Sequence, residues 1–193
     1  MYYGPYMNPY TYFSNLQMYN YGRQYTYQDY PEYPGYKKKY NSYYSSNCDS
    51  RIALTDYGSK PFVININDAA KQNNTFRTVL WTGTHLQVTL MSINVGEDIG
   101  LEIHPEVDQF LRIEQGQGIV QMGKSKDHLD FERNVYDDYA IMIPAGTWHN
   151  VTNTGNIPLK LYSIYAPPNH PFGTVHPTKA DAVLAEDDDH HSI

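Results

Sequence analysis

The chain has 193 residues and a net charge of −7, enough length for one domain of ordinary size and a tail. The acidic balance excludes general nucleic-acid binding, because phosphate contacts need a basic surface. A single cysteine, Cys48, excludes an internal disulfide framework and a cysteine-rich zinc site.

Composition divides the chain near residue 50. Residues 1–48 hold 15 of the 20 tyrosines but only one branched aliphatic residue, Leu16. Four basic residues against two acidic ones make this prefix +2, which leaves −9 for the rest. Such a segment buries too little aliphatic surface to offset its ordering entropy, so it reads as a disordered low-complexity arm. Polar sequence with interleaved aromatics is also the kind that associates with copies of itself. The arm therefore has an alternative reading as an assembly segment, its tyrosines stacked or oxidatively cross-linked between chains. The N-terminus shows no basic segment followed by an apolar run, so a secretory leader is not expected. No stretch approaches the roughly 20 apolar residues of a membrane span. The expected location is cytoplasmic, or within an assembly such as a spore coat.

From residue 61 the texture changes to short alternating runs broken by Gly, Asn, Asp and Pro, which predicts an all-β domain. Strands are expected at 62–66, 76–81, 85–93, 98–104, 109–115, 117–122, 138–143, 148–154 and 158–166. A short helix at 68–73, with Asp68 as N-cap, links the first two. Expected core residues are Leu86, Val88, Leu111, Ile113 and Leu161. A second helix is expected from Thr178 to Glu186, followed by a solvated tail with His190 and His191 beside three aspartates. The division is thus an arm at 1–50, a β-domain at 51–177, and a helix with acidic tail at 178–193.

The segment Ile99-Gly100-Leu101-Glu102-Ile103-His104, read as a strand, puts Glu102 and His104 on one face. A carboxylate and an imidazole so placed are a ready pair of metal ligands. Gln109 starts the next strand and shares its face with Leu111 and Ile113. Further on, Pro144 and Gly146 make a tight turn, and His149 enters a strand with Val151 and Asn153 on its face. Two histidines and one carboxylate from different strands would complete a facial site with open positions.

These residues resemble the cupin superfamily. Its first motif spaces Gly, His, His, Glu and Gly as Gly96, Glu102, His104, Gln109 and Gly116 are spaced here. Its second motif is met by Asp138, Pro144, Gly146, His149 and Asn153, again at family spacing. The resemblance covers residues 60–170 and implies a double-stranded β-helix, a jelly-roll barrel with short flanking helices. It is similar to small bacterial single-domain cupins of the mannose-6-phosphate-isomerase-like type, while the arm is reminiscent of spore-coat components. Two positions depart from the motif. Glu102 stands at the first His and Gln109 at the Glu, which keeps one carboxylate in the set but moves it. The implied ligands are Glu102, His104 and His149, for Fe, Mn, Ni or Zn, with Gln109 either a loose fourth ligand or a donor to bound water or substrate.

Two readings of function follow. The first is a metal-binding cupin with a small polar ligand, an isomerase with Glu102 moving the proton or a metal-dependent oxygenase. The second is an assembly protein in which a cupin core displays the tyrosine-rich arm. Cupins commonly pair through an apolar sheet face, which implies a homodimer, with residues 1–48 available for higher assembly. His85 and His128 read as surface residues. The segment carrying His170 and His176 reads as a surface loop, or else as a flap over the barrel mouth that brings one histidine near the pocket. Arg112 shares a face with Glu114, away from the pocket, which counts against a phosphosugar.

Overall fold

The computed structural model describes residues 51–190. The arm with Cys48, His191 and the end of the tail lie outside the described residues.

The β-domain follows from alternation. A six-stranded sheet runs in the order β6-β3-β8-β2-β1-β9 and a three-stranded sheet in the order β5-β4-β7. The larger contains β1 (Arg77–Thr82), β2 (Gln87–Ile93), β3 (Asp108–Gln115), β6 (Ala140–Ile143), β8 (Leu159–Ala166) and β9 (Val175–His176). The smaller contains β4 (Gln117–Gly123), β5 (Phe131–Tyr136) and β7 (Trp148–Asn153). Every paired strand is antiparallel. The two sheets face each other and enclose the core, the double-stranded β-helix expected from the sequence.

Along each inward face the chemistry grades from polar to apolar. On β2 the buried inward residues are Gln87, Thr89, Met91 and Ile93; on β3 they are Gln109, Leu111 and Ile113. β8 runs the other way, with Leu159 and Leu161 before Ser163 and Tyr165. Antiparallel register places Gln87 and Gln109 both opposite Tyr165, so the polar ends meet at one end of the barrel. At the other end Met91, Ile93, Leu111, Ile113, Val120, Val151, Leu159 and Leu161 form the dry core.

A second apolar layer covers the outer face of the larger sheet. Here α1 (Ile66–Gln72) buries Ala69 and Ala70 against Leu80 and Leu90, with Ile64, Val88 and Tyr162 packed around them. Val88 therefore belongs to this layer, and Leu86 is 36 % exposed, so neither fills the barrel interior as expected.

Several expected elements shift, each for a local reason. Residues 62–66 alternate, with Val63 96 % exposed and Ile64 packed inward, but they find no strand partner. Asn65 instead caps α1 by accepting from the Asp68 amide, so Asp68 lies in the first turn and not at the cap. Residues 98–104 meet β7 only at two bridges, Asp98–Thr152 and Glu102–His149. Between them Gly100 has φ of 94° and donates to Asp98 Oδ1 at 2.6 Å, which breaks the strand. β5 was not expected because only Val135 of its six residues is buried, leaving no alternation to read. Finally α2 (Lys179–His190) continues through the residues read as a solvated tail; Thr178 and Asp181 form its capping pair.

Asp138 explains how the second motif survives without its glycine. It sits at φ of 70°, the left-handed region that Asp tolerates better than most residues. Its carboxylate accepts from Arg112, which also donates to Glu114 at 2.7 Å on the outer face of β3. Arg112 is thus outside the pocket, as alternation implied.

Candidate metal centre

Glu102 and His149 face each other across the bridge between the 98–104 segment and β7. Each donates its amide to the other's carbonyl, at 3.0 and 2.9 Å. Paired this way, their side chains emerge on the same face, and Glu102 Oε1 lies 3.2 Å from His149 Nε2. His104, two residues on, brings its own Nε2 to 3.3 Å from the same oxygen. One ligand atom from each of Glu102, His104 and His149 lies within 4.8 Å of the other two. His149 is fully buried, while the side chains of His104 and Glu102 are 12 % and 19 % exposed.

The proton inventory of this cluster fits a cation. His149 Nδ1 sits 2.9 Å from the Thr147 carbonyl, which can only accept, so Nδ1 carries the proton. In the neutral ring Nε2 is then a lone pair facing a carboxylate oxygen. Two acceptors in contact need a positive centre between them, a protonated ring or a metal ion. Two imidazoles and a carboxylate are donors that suit first-row divalent metals. Glu102 is held well below the usual carboxylate range: burial works against this, but the bonds from His104 and His149 and the charge of Arg77 outweigh it. It is therefore ionised and ready to ligate.

Gln109 lies nearby in the fold but differs in role from the three. Buried on β3, it donates its amide nitrogen to Ser163 Oγ at 3.1 Å, while its buried Oε1 meets no hydrogen-bond partner. One of its two amide hydrogens is spent on Ser163, and its oxygen remains for a cation or a ligand.

Above the cluster is a cavity of about 580 Å³ lined by Arg77, Glu102, His104, Asn169, His170 and His176, among others. The surface-loop reading of 170–176 is thus corrected: the segment folds over the mouth and brings both histidines to the cavity. It is held there by β9 pairing with β1, where His176 lies opposite Arg77. The Tyr165 ring is edge-on to both His104 and His170, with centroids 5.6 and 5.0 Å away. Burial pushes the Tyr165 hydroxyl up to about 12, so it stays protonated. His170 is pushed down to about 3, by burial first and then by the charge of Arg77, and is neutral at physiological pH. His85 and His128 are exposed and far from this role.

The sequence reading did not single out Arg77, Gln87 or Tyr165. A signal existed in the period-two placement of polar residues at the start of β2 and end of β8, but it reads as ordinary surface alternation until the partner strands are known.

A family profile described as a cupin domain matches residues 89–165, which span β2 to β8 and include Glu102, His104 and His149. The protein YrkC of Bacillus subtilis (strain 168) is 67 % identical over 187 residues, covering 97 % of this chain and all of that one. The chain carries a cupin domain. This cupin is also 43 % identical over 115 residues to protein L612 of Acanthamoeba polyphaga mimivirus, covering 59 % of this chain and 70 % of that one. Among solved structures, BH2720 from Bacillus halodurans is 70 % identical with a TM-score of 0.67, covering 68 % of this chain and 99 % of that one. Among the described residues no helix is long and apolar enough to cross a membrane.

Proposed function

We propose that this cupin holds a divalent metal with Glu102, His104 and His149 and binds a small polar ligand in the cavity above them. The observation that carries this reading is the contact of Glu102 Oε1 with both imidazole Nε2 atoms, when the Thr147 carbonyl has fixed the His149 proton on the other nitrogen. A bound metal would supply a Lewis-acidic centre able to polarise a ligand oxygen.

The chain's own residues shape what happens around it. Glu102 is a weak base in this setting, so we assign it to holding the metal and not to moving a proton. His170 and His176 offer imidazole edges to the ligand, and the dry core beneath excludes water from below. His170, held at about 3, is also a poor base, so a proton-moving role in an isomerase-type reaction falls to His176. Arg112 is committed outside, but Arg77 lines the cavity, so a ligand that carries an anionic oxygen, such as a hydroxy acid, fits this lining. The test is to load the purified protein with Co(II) and follow its visible spectrum during titration with small hydroxy acids and sugars. Perturbation by one class identifies the ligand chemistry, and no spectrum in His104→Ala confirms where the metal sits.

A second reading rests on the sequence of the arm, with its 15 tyrosines in 48 residues. In it the cupin core pairs as a homodimer and the arm drives further assembly, as a coat component would require.

A further inference from the structure

The segment that closes the cavity, residues 167–174, contains no regular structure, and its fixed position needs a cause. The β9–β1 pairing anchors its far end, and the cause at its near end is concentrated in one side chain. Gln87 is fully buried at the start of β2. Its Oε1 accepts from the amides of Asn169 and His170 at 3.3 and 2.9 Å. Its Nε2 donates to the His170 carbonyl at 2.8 Å and to Thr82 Oγ1 at 3.0 Å. A primary amide offers two donors and a two-lone-pair acceptor, and here every one is used. A carboxylate, which only accepts, could not grip the same backbone on both its donor and acceptor sides. Asp56 adds a second tie further along by accepting from the Gly173 amide at 3.0 Å.

The consequence is transmitted through rings. With its backbone held, His170 stands edge-on to Tyr165 at 89° between planes, and Tyr165, fully buried, stands edge-on to His104 at 85°. We propose that Gln87 is a positioning residue of the ligand site: it sets His170 against Tyr165 and so fixes the cavity wall that faces His104. This rests on reading the cavity as a ligand site. Gln87 itself touches neither ligand nor metal.

The test uses the full chain and two readouts. The first needs no metal. In the wild type the His170 ring-carbon protons are expected to be shifted by the Tyr165 ring, and the amides of 169 and 170 to exchange slowly. In Gln87→Leu these resonances are expected to return to free-histidine positions, with exchange at both amides faster by at least about tenfold. Gln87→Glu keeps the acceptor and is expected to retain slow exchange at both amides while losing part of the ring shift. It also carries the test if the leucine variant does not fold.

The second readout is acetate binding to Co(II)-loaded protein, followed in the visible spectrum. Gln87→Leu and His170→Ala are each expected to weaken acetate about fivefold or more while leaving Co(II) affinity within about twofold. Unmoved His170 resonances in Gln87→Leu, or unchanged acetate affinity in His170→Ala, would overturn the proposal. So would a loss of Co(II) in Gln87→Leu as large as in His104→Ala, which marks a general structural role. A wild-type protein that takes up no cobalt contradicts the metal reading alone, since the resonance readout still decides this one.

Discussion

Glu102 and His149 are joined twice, by reciprocal backbone hydrogen bonds at 3.0 and 2.9 Å and by a carboxylate–imidazole contact at 3.2 Å. A cross-strand pair in register is therefore also the heart of the Glu102–His104–His149 cluster. A one-residue slip would turn both side chains to the opposite face, so the fold and the site are set by the same two amides.

Removal of either imidazole is expected to cost more than removal of the neutral amide. His104→Ala and His149→Ala should each weaken divalent-metal binding by at least about 100-fold, and Gln109→Ala by no more than about tenfold. Calorimetric titration measures this, with circular dichroism to show that the barrel remains. Equal loss in all three variants would make Gln109 a full ligand.

The dry end of the barrel should set stability without touching the site. Leu161→Ala removes a fully buried side chain and is expected to cost about 2–5 kcal/mol in denaturant unfolding. Leu86→Ala, at 36 % exposure, is expected to cost less than about 1.5 kcal/mol.

Acid should loosen the fold through His170. The unfolded chain takes up a proton there below pH 6.5, whereas the folded chain resists until about 3, so the unfolded state binds more protons in between. Stability from this group is present above 6.5 and is lost as pH falls through that window. Thermal melts at stepped pH are expected to fall more steeply for the wild type than for His170→Gln. Parallel slopes would show that His170 protonates freely in the folded protein.

The arm is expected to be dispensable for folding and metal binding but needed for assembly beyond a dimer. A chain of residues 50–193 should keep the wild-type unfolding transition and size as a dimer, with the full-length chain larger and dependent on concentration. Identical sizes at matched salt would leave the arm without an assembly role.

Much of this was legible before any coordinates. Alternation placed Leu111, Ile113 and Leu161 inside, and motif spacing brought Glu102, His104 and His149 together, because both depend on local period and register. What escaped depended on partners distant in sequence. Residues 62–66 alternate as a strand does, yet the chain there turns into α1, with Asn65 as its cap. The 98–104 segment was read as continuous because a glycine in a strand pattern does not announce φ of 94°. His170 reads as a loop residue because its backbone is held over the cavity by Gln87, 83 positions away.

Metal content of the purified full-length protein tests the central claim most directly, by elemental analysis beside His104→Ala and His149→Ala prepared in parallel. The account predicts a stoichiometric first-row divalent metal in the wild type and little in either variant. A wild type that is metal-free as isolated and cannot be loaded with Co(II), Zn(II), Mn(II), Ni(II) or Fe(II) would contradict it.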